Sequence, residues 1–288
     1  MTADTQTESG VDKLAEMRGT IRDRLAVPVG HRMLGGWLGA PLRAENYATL
    51  GNLLRSSPDA GPLLARYLTG SGAYPYAARV RTPIGEQKVH LSHSHDVVTL
   101  FEVFFRRDYA AARDISVAVD IGANIGVSAL YFLTRNAQAR CYCFEPHPEN
   151  AAKLRANLAG LGGRYVLNEE AIAERAGTVS FGIEPTGRYG SIGAQTGSSI
   201  SVECRDVNSA LAEVLEAEGS IDVLKIDTEG LEAATVAAIR PELLERIGLV
   251  YFEAMERPAA LHEGLFRRTR RRTVERLEGR KGVGAEGE

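Results

Sequence analysis

Residues 117–126 read Val-Ala-Val-Asp-Ile-Gly-Ala-Asn-Ile-Gly, and this stretch decides the fold. Apolar residues carry a strand up to Asp120. Gly122 and Gly126 then bracket a tight turn into a helix over 127–135. Glycine has no Cβ, so such a turn lets backbone N–H groups approach a ligand closely. The same geometry serves a dinucleotide, so the loop alone does not choose the ligand.

Outward from this turn, strand and helix alternate. Residues 139–144 form a second strand followed by a helix over 148–158, with Pro148 in its first turn; 164–167 form a third strand. Residues 178–183 and 199–204 read as additional strands around a glycine-rich loop, 187–197. Residues 223–226 are the fourth core strand, 231–239 its helix, and 249–252 the fifth. The alternation predicts an α/β protein with a parallel, doubly wound sheet. Ahead of it, 11–25, 44–54 and 61–68 have helical periodicity, interrupted by Pro58 and Pro62. Glycines around Trp37 mark a loop, 79–81 and 87–91 flank a β-hairpin turn, and a helix runs over 97–106. The expected organisation is a mainly helical segment at 1–78, a catalytic domain at 79–256, and a charged helix with a disordered tail at 257–288. The first segment would cap the substrate pocket or form a homodimer contact.

Composition narrows the class. The chain has 288 residues, 44% hydrophobic and 25% charged, as in a soluble globular protein. A formal net charge of −3 argues against a dedicated nucleic-acid binder, and the basic run 267–272 reads as a solvated helix face, with an anionic partner as the alternative. Cys141 and Cys143 alternate on one strand and are expected as core thiols; with Cys204 they make no disulfide or zinc framework. The polar residues 1–10 lack the apolar core of a signal peptide, and no apolar run reaches membrane-spanning length. The expected location is cytoplasmic.

Four acidic residues stand at or just past the carboxyl ends of strands: Asp120, Glu145, Asp227 and Glu253. Doubly wound sheets bind ligands outside those ends, where strand order reverses, so the four converge on one crevice. Glu145, followed by Pro146, can accept hydrogen bonds from both hydroxyls of a ribose, in nicotinamide and adenosyl-methionine enzymes alike. His93, His95 and Asp96 have metal-ligand spacing but also open a helix, which favours capping or a substrate-facing role. His147 is a candidate for stacking over a base or for acid–base work, with plain surface exposure as its alternative.

Residues 120–126 (Asp-Ile-Gly-Ala-Asn-Ile-Gly), 144–150 (Phe-Glu-Pro-His-Pro-Glu-Asn) and 224–232 (Leu-Lys-Ile-Asp-Thr-Glu-Gly-Leu-Glu) resemble, in order and spacing, three hallmark segments of the FkbM family of S-adenosylmethionine-dependent methyltransferases. The resemblance covers 80–253. It implies a class I methyltransferase (Rossmann-like) fold and S-adenosyl-L-methionine as cofactor. The implied acceptor is a hydroxyl group, commonly on a sugar, a glycolipid, or a polyketide or peptide natural product.

Carried over by residue, Gly122, Ala123, Asn124 and Gly126 would line the methionine and ribose part of the cofactor, and Asp120 would organise their loop. Glu145, with Pro146 beside it, would hold the ribose diol. Glu170 and Ala171 would lie near adenine, and Asp227 beside the methyl group. An acidic pocket suits a sulfonium cation and repels a pyrophosphate. A hydroxyl is a poor nucleophile, so Asp227 and Glu229 are candidate general bases; Mg²⁺ held by Asp227 and Glu253 is the alternative.

The family's sheet usually ends in a further helix and an antiparallel hairpin. Here 261–278 reads as a charged helix with no strand pair, so the sheet is expected to be shortened or completed by a partner. Two rival functions remain open. An NAD(P)-dependent oxidoreductase should show Gly-x-Gly-x-x-Gly, of which only Gly122 and Gly126 occur. A non-catalytic S-adenosylmethionine-binding module is disfavoured by the intact segment 225–232.

Overall fold

A computed structural model describes residues 44–183, 190–192, 198–228, 230–254, 262 and 264–279, with the backbone of 28–29 and 32–33. The helices α1 (Ala44–Ser56) and α2 (Ala60–Thr69) come first, then a hairpin of β1 (Tyr76–Thr82) and β2 (Gly85–Leu91). Next are α3 (Ser94–Leu100) and a π-helix (Phe101–Arg106) that continues it. The core follows as β3 (Val117–Ile121), α4 (Val127–Leu133), β4 (Arg140–Phe144), α5 (Pro148–Asn157) and β5 (Tyr165–Asn168). Four strands, β6 (Ala171–Ala173), β7 (Gly177–Ile183), β8 (Gly190–Ile192) and β9 (Ser198–Asp206), form a small separate sheet. The chain then returns through α6 (Val207–Glu218), β10 (Ile221–Ile226), α7 (Glu232–Ala238), α8 (Pro241–Leu244) and β11 (Ile247–Glu253). It closes with β12 (Phe266–Arg271) and β13 (Val274–Gly279).

The main sheet has seven strands in the order β12–β13–β11–β10–β3–β4–β5. The five strands from β11 to β5 are parallel, and β13 runs antiparallel to both its neighbours. All five residues of β3 are buried, as expected of a parallel strand covered on both faces. Strand order reverses between β3 and β10. Their register sets Lys225 opposite Asp120 and Ile226 opposite Ile121, so both strands end at one level. This is the doubly wound class I methyltransferase fold.

Side-chain alternation sorts the core into two layers. Val119, Ile121, Phe144, Leu224 and Ile226 pack against α6 and α7 through Leu211, Leu215 and Val236. Ala118, Cys141, Cys143 and Val223 face the other way and share a cluster with Leu53, Leu63, Val80, Val89 and Phe105. The elements from α1 to the π-helix are thus one covering layer of the sheet, and β1 runs across position 78. Cys141 and Cys143 are buried thiols with sulfurs 3.7 Å apart. Asp96 caps α3, its Oδ2 accepting from the backbone N–H of Ser92 at 2.6 Å. Residues 11–25, Trp37, Glu229 and most of the loop 187–197 lie outside the described residues. Among the described residues, no helix is long and apolar enough to cross a membrane.

The expected charged helix at 261–278 is corrected: β12 and β13 form an antiparallel hairpin, and β13 pairs with β11 from Leu249↔Glu278 to Glu253↔Val274. The family's terminal hairpin is therefore present, and the sheet is neither shortened nor dependent on a partner. Phe266, Val274 and Leu277 are buried and anchor it, while Arg272 makes the turn with φ 59°. Charge-rich composition hid the strand pattern. Glu275 is fully buried, and Arg268 Nε donates to its Oε2 at 2.9 Å while Arg270 Nη1 lies 3.3 Å from its Oε1. The basic run is therefore a paired edge strand, not a helix face.

Candidate active site

The turn after β3 is held by its neighbours on both sides. Gly122 and Ala123 donate backbone N–H bonds to the Phe144 carbonyl at 3.0 and 3.1 Å, and the Asp227 N–H donates to the Ile121 carbonyl at 3.0 Å. Gly122, Asn124 and Gly126 have φ of 78°, 49° and 84°. A Cβ at Gly122 would sit 1.9 Å from the Asp227 carbonyl oxygen, so glycine is required by the close approach of β10. A Cβ at Gly126 would meet Leu154 Cγ at 2.8 Å. Gly126 therefore serves the packing of α4 against α5 and is not among the residues lining the cleft.

Beneath the turn lies a buried charge network. The Lys225 ammonium is 3.1 Å from Asp120 Oδ1, 3.2 Å from Asp227 Oδ2 and 3.2 Å from the Gly122 carbonyl. The Ser128 hydroxyl donates to the other oxygen of Asp120. Burial opposes the charge on Lys225, but Asp120 and Asp227 outweigh it and hold the ammonium above the ordinary lysine pKa. Burial also raises the carboxyl of Asp120, with Lys225 acting against it. Asp120 is fully buried, and its carboxylate meets Lys225 and Ser128. Sequence reasoning missed Lys225 as a site residue. The available signal was a lysine on the Asp227 side of the apolar run 223–226 of a parallel strand.

The carboxylate of Glu145 accepts from the Asn124 N–H at 2.8 Å and the His147 N–H at 2.9 Å. Burial nevertheless pushes its pKa up to about 7. His147 is buried, not surface-exposed. Its Nδ1 accepts from the Asn150 N–H at 3.4 Å, capping α5, and burial lowers its pKa. Glu170 reaches the cleft paired with Arg205, and Ala171 lies beside it. Glu253 ends β11 with the Tyr109 hydroxyl 3.5 Å from its Oε1. Burial, then Asp227 and Glu102, raise its pKa to about 7.

These residues wall one cleft of about 1210 Å³, open mouth included. Gly122, Ala123, Asn124, Glu145, Pro146, Glu170, Ala171, Asp227 and Glu253 all line it, and so do Thr99, Glu102, Val103 and Tyr109, which sequence reasoning did not single out. Close backbone approach at 122–124 and an acidic wall fit a nucleoside sulfonium. The structure lends Mg²⁺ no support. The Asp227 carboxylate is already bonded to an ammonium, and among the described residues no three His, Cys, Asp or Glu side chains are grouped to hold a metal.

The chain matches the Methyltransferase FkbM domain over residues 120–272. It is 30% identical over 208 residues to the 2-O-methyltransferase NoeI of Sinorhizobium fredii, covering 66% of this chain and 77% of the relative. Distant structural similarity joins it to a methyltransferase from Geobacter sulfurreducens, with 16% identity, TM-score 0.34, and 58% and 72% of the two chains covered. The S-adenosylhomocysteine-bound Podospora anserina methyltransferase PaMTH1 is also similar, with 13% identity, TM-score 0.29 and coverage of 88% and 72%. The sequence matches place the chain in the FkbM methyltransferase family. It is a methyltransferase.

Proposed function

We propose that the protein is an S-adenosylmethionine-dependent O-methyltransferase that methylates a hydroxyl of a sugar, a glycolipid, or a polyketide or peptide natural product. The observation that carries the reading is the meeting of the Gly122–Asn124 turn, Glu145 and Asp227 at the switch point between β3 and β10. The cofactor supplies an electrophilic methyl group on a sulfonium. The turn's close backbone approach and the Glu145 carboxylate bind its nucleoside part, and the acidic lining favours its positive charge. Asp227 accepts the proton of the acceptor hydroxyl, and Lys225, 3.2 Å away, fixes that carboxylate's orientation. Holding the hydroxyl in line with the methyl group lowers the barrier further by removing motional freedom beforehand. The hydroxyl acceptor agrees with the relative named for 2-O transfer. Glu229 remains a second candidate base from the sequence alone. The proposed mechanism uses no Mg²⁺, and a dinucleotide is disfavoured because its pyrophosphate would face Glu145, Asp227 and Glu253.

Calorimetry with S-adenosylmethionine and a turnover assay test this reading. Asp227→Asn should lose roughly 10²–10⁴ in turnover, the range for a general base, while cofactor affinity stays near that of the parent. Turnover of the parent protein should persist in EDTA. Near-normal turnover of Asp227→Asn would remove the base assignment, and absent cofactor binding would remove the function.

A further inference from the structure

The side of the cleft facing Asp227 and Glu253 is built by chain that precedes the matched domain. Thr99, Glu102 and Val103 stand at i, i+3 and i+4 across α3 and the π-helix, so they share one face, and Tyr109 follows in the next loop. The π-helix is a local departure from α geometry of the kind that recurs at functional sites. Arg106 holds the Glu102 carboxylate from the same helix, with Nη1 3.3 Å from Oε1, and is itself braced by Asp108. Glu102 thus lines the cleft with its carboxylate braced by Arg106.

We propose that Glu102 selects the acceptor, favouring a neutral, hydroxyl-rich group over one that carries phosphate, sulfate or carboxylate. The inference rests on the methyltransferase reading above. A fixed carboxylate accepts hydroxyl hydrogen bonds strongly and repels an anion at the same place. The neighbouring charges reinforce the choice. Asp227 and Glu253 add two more carboxylates, while the one buried ammonium among the cleft-lining residues, Lys225, is already engaged by Asp120 and Asp227. Arg106, on the same helix, is held by Glu102 and Asp108. A sugar acceptor would therefore be methylated after glycosyl transfer has removed its nucleotide diphosphate, not while still carrying it.

The test uses the full chain, parent and Glu102→Gln, against a panel of methyl glycosides and the matching sugar 1-phosphates and nucleotide-diphosphate sugars. S-adenosylhomocysteine affinity is measured in parallel. The parent should methylate neutral members and leave the charged ones untouched. Glu102→Gln should raise KM for neutral acceptors about tenfold, as for one lost charge-assisted hydrogen bond, and narrow the neutral-to-phosphorylated preference, with S-adenosylhomocysteine affinity unchanged. Glu102→Asp should restore part of the preference. A parent that prefers phosphorylated members, or binds S-adenosylhomocysteine yet turns over no neutral member, overturns the proposal whether or not the variant folds. An unchanged preference in a folded Glu102→Gln overturns it as well. Failure of the parent to bind S-adenosylhomocysteine at all would instead overturn the underlying function.

Discussion

Gly122 constrains the site through its own protein. Its φ of 78° is one L side chains rarely adopt, and the added methyl of Gly122→Ala would press on the Asp227 carbonyl oxygen at 1.9 Å. The expected result is a loss of about 2 kcal/mol or more in folding stability, since backbone strain and a main-chain clash coincide. Urea unfolding measures this; unchanged stability with lost cofactor affinity would move the clash from the protein to the ligand. Glu145→Ala should behave differently. It removes an acceptor of the Asn124 and His147 N–H groups and the expected partner of the ribose. Cofactor binding should weaken by about 1.5–3 kcal/mol, and calorimetry of the folded variant showing full affinity would end that assignment.

Among the elements, the β12–β13 hairpin has the most to lose from one change. Glu275 is fully buried and meets the guanidinium groups of Arg268 and Arg270. Removing one partner of a buried ion cluster costs far more than removing the whole cluster. Glu275→Ala should therefore destabilise the protein by about 3 kcal/mol and raise hydrogen exchange across 266–279. Glu275→Leu combined with Arg268→Leu should recover much of the loss. Exchange unchanged in Glu275→Ala would show that the ion cluster does not hold the edge of the sheet. The hairpin also explains a failure of sequence reading. Arg in β12 and Glu in β13 occupy inward as well as outward positions, so the period of two had little apolar contrast to reveal the hairpin.

At the scale of the molecule, the cleft stores electrostatic strain that pH should report. Glu145 and Glu253 both have pKa values raised to about 7 from an ordinary 4.5, chiefly by burial. The unfolded chain releases these protons near 4.5 and the folded chain holds them to about 7, so between those values the folded state binds more protons. Their contribution to stability is thus complete below about pH 4.5 and is lost as pH rises through 7. Thermal unfolding of the ligand-free protein should show that decline, and Glu145→Gln and Glu253→Gln should each flatten it. Cofactor affinity should move the opposite way, rising with pH as Glu145 ionises to accept the ribose hydroxyls. A flat melting profile in the parent would mean that these carboxyls are solvated.

The sequence by itself determined the fold family and the rim of the cleft. Strand–turn–helix units are local, so the Gly122 turn, Glu145 after β4 and Asp227 after β10 were legible from periodicity, punctuation and three hallmark segments. Tertiary structure alone decided what those residues touch. Lys225 becomes the cation between Asp120 and Asp227 only when β10 docks beside β3, and Gly126 becomes a packing residue only when Leu154 arrives from α5. Glu102 and Tyr109 enter the cleft from chain ahead of the hallmark segments, because α1 to the π-helix bury their apolar faces on the sheet. Such partners come from distant points in the chain, and the charge, burial and clearance that set their chemistry exist only once those points meet.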